Sequence, residues 1–133
     1  MTHLLDTNHC IFIIKNRSPR AWEKLASHPV GTIGISSVTA SELWFGVEKS
    51  EQKERNSRAL MKFLLPLEIA PYEEEAAERY GKIRAVLEKA GTPIGSLDCL
   101  IAAHAVALGV VLVTNNTNEF QRVPSLRLED WTA

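Results

Sequence analysis

Cysteine is scarce: Cys10 and Cys99 are the only two in 133 residues. Both sit in apolar segments, there is no Cys-x-x-Cys pair, and the four histidines lack zinc-site spacing. Disulfide frameworks and closed zinc sites are therefore not expected, and buried free thiols are. Long apolar runs are missing as well. The longest covers residues 105–113, well short of the ~20 residues that span a bilayer. Asp6 interrupts the start, so no apolar leader precedes a small-residue cleavage site. A cytoplasmic location is the expectation. Nor does charge of one sign dominate. Fifteen basic against sixteen acidic residues leave a formal net charge of -1. No global basic field marks a nucleic-acid binder, so only local charge could support that role. There are no repeats, low-complexity stretches or linkers. A chain of this length with 45% hydrophobic and 23% charged residues suits one globular domain over residues 1–133.

What is present is an alternation of short apolar runs and amphipathic stretches. A buried strand is predicted over 3–6, with Thr7 and Asn8 as caps for a short helix over 10–15. Pro19 is placed to open a second helix. A strand over 32–36 leads to a helix over 40–49, with Ser37 and Thr39 as N-cap candidates. The helix over 51–65 puts Leu60, Phe63 and Leu64 on one side and Arg55, Arg58 and Lys62 on another. A strand over 67–70 precedes the clearest amphipathic helix, 73–89, with Ala76, Ala77, Tyr80, Ile83 and Leu87 inward. The helix over 97–108 is apolar nearly all round and is expected to be buried. The β-branched run over 110–114 reads as a strand covered on both faces. Residues 115–120 read as a loop or short helical turn, and 126–128 as a last strand. This alternation argues for a parallel α/β sheet with helices on both faces.

In such a sheet, ligands bind beyond the carboxyl ends of the strands. Asp6, Glu42, Asp98 and Glu119 all fall at such junctions. Acids brought together there oppose one another's ionisation. A hard divalent cation relieves that repulsion, and Mg²⁺ favours oxygen ligands. Metal-dependent phosphoryl transfer or hydrolysis is the chemistry this pattern indicates. Each acid also has a purely structural account. Asp6 is a plausible N-cap. Thr39-Ala40-Ser41-Glu42 has the form of a capping box, which taken alone favours structure for Glu42. Asp98 suits the first turn of a helix, although a partly buried acid beside so apolar a helix needs partners or a metal. Glu119 lies in the polar stretch Asn115-Asn116-Thr117-Asn118, where Asn116 offers another oxygen ligand. Thr7, Asn8 and Ser36 are candidates to support the site. His104, well inside the apolar helix, reads as a buried, hydrogen-bonded histidine. Arg55, Arg58 and Lys62, with Lys15 and Arg17, are candidates for phosphate contacts, though a solvated surface charge is the commoner account of any single one. Trp44 and Phe45 fit either the core or an interface.

The ordered series Leu4-Leu5-Asp6-Thr7-Asn8, Ile35-Ser36-Ser37-Val38-Thr39 with Glu42-Leu43, Gly91-Thr92-Pro93-Ile94-Gly95 before Asp98, Leu100-Ile101-Ala102-Ala103-His104-Ala105, Val113-Thr114-Asn115-Asn116 with Glu119-Phe120, and Leu128-Glu129-Asp130-Trp131 covers almost the whole chain. It resembles the PIN-domain ribonucleases, specifically VapC-type toxins of type II toxin–antitoxin systems. The resemblance implies an α/β/α sandwich with a parallel sheet of four or five strands. It also implies Mg²⁺- or Mn²⁺-dependent cleavage of RNA, often tRNA, a homodimer, and a VapB-type antitoxin whose C-terminal segment covers the site. Asp6 and Asp98 match the family's main metal-binding acids, and Glu42 the acid after the second strand. Many members carry an Asp where this chain has Asn116, which leaves Asn116 and Glu119 as alternatives for the fourth ligand.

Two other readings remain at this point. A Mg²⁺-binding receiver domain of signalling proteins also uses acids at strand ends, but Leu67-Glu68-Ile69-Ala70 is followed by Pro71 rather than an acceptor Asp, and Thr114 by Asn115 rather than Lys. A housekeeping PIN nuclease without a toxin role shares all the acids.

Overall fold

A computed structural model describes residues 1–133. It contains β1 (His3–Leu5), α1 (Thr7–Ile14), α2 (Pro19–Ala26), β2 (Ile33–Ser36), α3 (Ser37–Glu48), α4 (Lys53–Leu64), β3 (Glu68–Ala70), α5 (Glu74–Lys89), α6 (Ser96–Leu108), β4 (Val111–Val113), α7 (Thr117–Phe120) and β5 (Leu128–Glu129). The five strands form one parallel sheet in the order β3-β2-β1-β4-β5. The chain builds outward from β1 through β2 to β3, then returns to the other side of β1 for β4 and β5. The strand order reverses between β1 and β4, and an open sheet of this kind places its ligand crevice at that reversal. The flavodoxin-like order of receiver domains is 2-1-3-4-5, so the topology removes the receiver reading.

Alternate side chains of a strand point to opposite faces, and the central strands separate two cores in this way. Leu5 and Val113 join Ile13, Leu25, Leu43, Val47, Leu60 and Phe63, beneath α1–α4. Leu4 and Leu112 join Ile83, Leu87, Ile101, Ala102, Ala105 and Phe120, beneath α5–α7. The result is the expected three-layer α/β/α sandwich. Gly34 lies between two strands at a point of very close approach. A Cβ there would come within 2.6 Å of the Glu68 carbonyl oxygen and of the Met1 sulfur.

Three local expectations are corrected. The first helix begins at Thr7, three residues earlier than predicted, because Asp6 rather than Thr7 or Asn8 caps it: its side chain accepts from the His9 N–H. The helix after β2 begins at Ser37 with Ser36 as its cap, accepting from the Val38 N–H. The Thr39–Glu42 capping box therefore does not form, since both residues lie inside the helix. Finally, Ala77 is exposed. The buried seam of α5 runs through Ala76, Ile83 and Leu87, and Ala77 falls one position off it.

Candidate active site

The first acid is set by the central strand. Asp6 follows β1 directly and is only 3% exposed. Its Oδ1 accepts from the His9 N–H at 2.7 Å, and its Oδ2 accepts the hydroxyl hydrogen of Thr114, the residue after β4. Thr114 Oγ1 in turn accepts from the Asn116 N–H at 2.9 Å. One hydroxyl thus joins the ends of β1 and β4 across the strand-order reversal. Burial pushes the Asp6 carboxyl up to about 6, against the opposing effect of the Thr114 and His9 hydrogen bonds and with smaller help from the charges of Glu42 and Asp130.

Glu42 reaches the same region from the second turn of α3. Its Oε1 accepts from the Thr7 hydroxyl at 2.6 Å, and Thr7 Oγ1 also lies 3.3 Å from the buried Thr39 Oγ1. Freed from any capping box, this carboxylate turns toward α1 and Asp6. Asp98 stands in the first turn of α6, after Gly95, whose missing side chain leaves open the space beside Asp98 Oδ2. Its carboxyl is also pushed up to about 6, by burial first and then by the charges of Glu119, Asp6 and Glu42. Glu119, in α7, accepts from Asn116 Nδ2 at 3.1 Å. Asn116 and Glu119 are thus joined to each other rather than standing as separate oxygen donors.

The four acids, from four segments, thus face one region at the carboxyl edge of the sheet, near enough for Glu42 to raise Asp6 and for Glu119, Asp6 and Glu42 to raise Asp98. The supporting residues divide. Thr7 and Asn116 join the acids. Ser36 does not: its hydroxyl is committed to capping α3 and pairs with His104 Nδ1 at 2.8 Å. This also satisfies His104, which is buried and lies edge-on to Tyr72, as expected for a structural histidine. Asn8 is exposed and makes no hydrogen bond to the acids. Arg55, Arg58 and Lys62 are exposed on α4 and pair with none of the acids. Thr114 is the residue that sequence reasoning passed over. The available signal was a hydroxyl residue at the carboxyl end of the most β-branched run. His9 was also missed; its ring is fully buried with neither nitrogen hydrogen-bonded, and burial pushes its pKa down.

The donor set consists of oxygens: four carboxylates, the Thr7 hydroxyl and the Asn116 amide. No three acidic, imidazole or thiol side chains stand close enough to enclose an ion by themselves. Oxygen donors are the ligands Mg²⁺ prefers, and it takes one or two carboxylates directly while keeping several waters. Asp6 and Asp98, whose ionised forms are disfavoured, are the groups a cation would benefit most. The residues present therefore fit such an ion.

An open parallel sheet with acids from four segments gathered at its carboxyl edge is the architecture of acid-clustered α/β nucleases. Comparison with known proteins makes this particular. The family model described as PIN domain matches residues 3–126. The chain is similar to the tRNA(fMet)-specific endonuclease VapC of Salmonella typhimurium, at 45% identity over 128 residues and 96% of each chain. It is likewise similar to ribonuclease VapC2 of Rickettsia felis, at 44% identity over 135 residues and 98% of each chain. Among solved structures, DNA-bound VapBC from Salmonella typhimurium superposes with a TM-score of 0.94 at 44% identity, over 98% of each chain. VapBC2 from Rickettsia felis, bound to a promoter DNA fragment, gives 0.91 at 40% identity, over 98% of this chain and 99% of that one. The chain belongs to the PIN-domain family, among its VapC-type toxin ribonucleases. No helix is long and apolar enough to cross a membrane.

Proposed function

We propose that this ribonuclease hydrolyses tRNA with a Mg²⁺ or Mn²⁺ ion held at the acidic crevice, acting in the cytoplasm as the toxin of a two-protein system. The observation that carries this reading is the convergence of Asp6, Glu42, Asp98 and Glu119, with Asp6 and Asp98 both pushed up to about 6. Asp6 and Asp98 would hold the ion, directly or through water, and Glu42 and Glu119 would complete the acidic ring. When bound, the ion lowers the pKa of water and stabilises charge on the scissile phosphate. The chain's own residues fix the geometry. Thr114 and the His9 N–H orient Asp6, Thr7 holds Glu42, and Asn116 steers Glu119. No histidine pair stands beside the acids to activate the RNA 2′-hydroxyl. Water is then the nucleophile, and the products carry a 5′-phosphate and a 3′-hydroxyl. The choice of tRNA follows the named activity of the Salmonella relative.

The VapBC complexes among the structural relatives support a VapB-type antitoxin as partner. Its docking surface is the α3–α4 face, where Trp44, Phe45 and Met61 are exposed and Trp44 and Arg58 line a cleft with Val47 and Lys53. An arginine from the partner would pair with the acids and displace a cation. The same exposed aromatic and apolar residues suit a homodimer. The test uses purified protein with total tRNA. Cleavage with Mg²⁺ or Mn²⁺ and its loss in EDTA are expected, with ends that ligate as 5′-phosphates. Full cutting in EDTA, or 2′,3′-cyclic phosphate ends, would overturn the mechanism.

A further inference from the structure

Two of the four acids are delivered by segments that touch through one cation. Glu119 lies in α7, and the turn that follows brings the Arg122 N–H onto the Glu119 carbonyl at 3.1 Å. From that turn the exposed Arg122 side chain crosses to the loop before α6, where Nη1 donates to the Pro93 carbonyl at 3.3 Å. That loop runs through Gly95 into Asp98. Arg122 therefore sits where the approaches to Glu119 and Asp98 meet.

Its charge is not spent there. The guanidinium pairs with no carboxylate: the ion pairs of the chain are His3–Glu129, Lys53–Glu48, Lys82–Glu78 and Arg84–Glu88. The guanidinium has five N–H donors in a planar fork, and that fork matches a phosphate. One donor is used on Pro93. The basic residues of α4 belong to a different element and are bonded to neither acid-bearing segment. We infer that Arg122 is an RNA-binding residue of this site, gripping a backbone phosphate next to the one that is cut. The tether to Pro93 limits the rotamer freedom that is lost when the phosphate binds.

The inference rests on the ribonuclease reading above, and two measurements separate the two. Wild-type protein is first assayed for RNA cleavage; if it cuts nothing, both readings fall. Steady-state cleavage by Arg122→Ala is then compared with wild type. RNA binding is measured in EDTA on an Asp98→Asn background, with and without Arg122→Ala, across salt concentrations. Loss of a phosphate contact should raise KM about ten-fold with kcat nearly unchanged, and make the salt dependence of binding shallower by about one unit of slope. Arg122→Lys should restore most of the slope and only part of the affinity, since it keeps the charge but not the fork. If wild type cuts RNA but Arg122→Ala leaves KM and the salt slope unchanged, the inference is overturned. A fall in kcat alone would overturn it equally, because the arginine would then only hold the turn.

Discussion

At the residue scale, the site depends on how few hydrogen bonds fix each acid. Glu119 accepts from Asn116 Nδ2 and shares a hydrogen bond with the Asp98 carboxyl, and Asn116 is itself placed by Thr114. Glu119→Gln should therefore weaken metal binding and slow cleavage by ~10–100-fold, as loss of a ligand or its support does. Asn116→Asp should slow cleavage as well in the absence of excess metal, since it replaces the Nδ2 donor with a carboxylate facing Glu119. An unaffected Glu119→Gln beside an inactive Asn116→Ala, read by metal titration and initial rates, would transfer the ligand role to the asparagine. The raised carboxyls also predict a pH dependence. Asp6 and Asp98 ionise near 6 in the folded chain against 3.8 for the free group. Between those values the folded state holds more protons than the unfolded one, so these two groups make metal-free stability fall as pH rises. Glu129, whose carboxyl is lowered chiefly by the Trp131 hydrogen bond, acts in the opposite sense, so the comparison must be made against a variant. Urea titrations in EDTA should show Asp98→Asn losing less stability than wild type between about pH 4 and pH 7. Mg²⁺ should recover part of the wild-type loss at neutral pH. Equal pH slopes for the two proteins would contradict the assignment.

At the scale of the element, Ser36 and Gly34 show how β2 is fitted between its neighbours. The Ser36 hydroxyl both caps α3 and pairs with the buried His104. Ser36→Ala removes a cap, typically worth ~0.5–2 kcal/mol, and also leaves a buried imidazole nitrogen without its partner. The loss in thermal or urea stability should exceed that of a cap alone, and Ser36→Thr should recover part of it. Gly34→Ala should destabilise by a similar or larger amount, because backbone rather than a flexible side chain blocks the new methyl at the Glu68 carbonyl. The helices were legible here because they are local. Pro19 opens α2, and Gly109, at φ 68°, ends α6 in the left-handed turn that favours glycine. Exact helix starts were harder to read. Asp6, Thr7 and Asn8 are all competent caps, as are Ser36, Ser37 and Thr39. The choice among them follows from where each strand ends in the sheet.

At the scale of the whole molecule, the apolar and aromatic α3–α4 face and the acidic crevice lead to a cellular expectation. Expression of the chain alone should arrest growth, Asp98→Asn should relieve the arrest, and a VapB-type partner should restore growth by forming a stable complex. Harmless expression of the intact protein in a host that holds its RNA target would favour a housekeeping nuclease. The sequence by itself determined the alternation of strands and helices, the parallel α/β class and the four acids, because hydrophobic periodicity and position at strand ends are properties of short segments. Only the tertiary structure decided how those acids are held. Thr114 meets Asp6 across 108 residues, and His104 meets Ser36 across 68. Such pairs exist only once strand order and register place β1 between β2 and β4. The same placement put Glu42 inside α3 rather than at its cap, with its carboxylate on the Thr7 hydroxyl. A side chain's partner depends on which strand end it faces in space, and no local pattern encodes that.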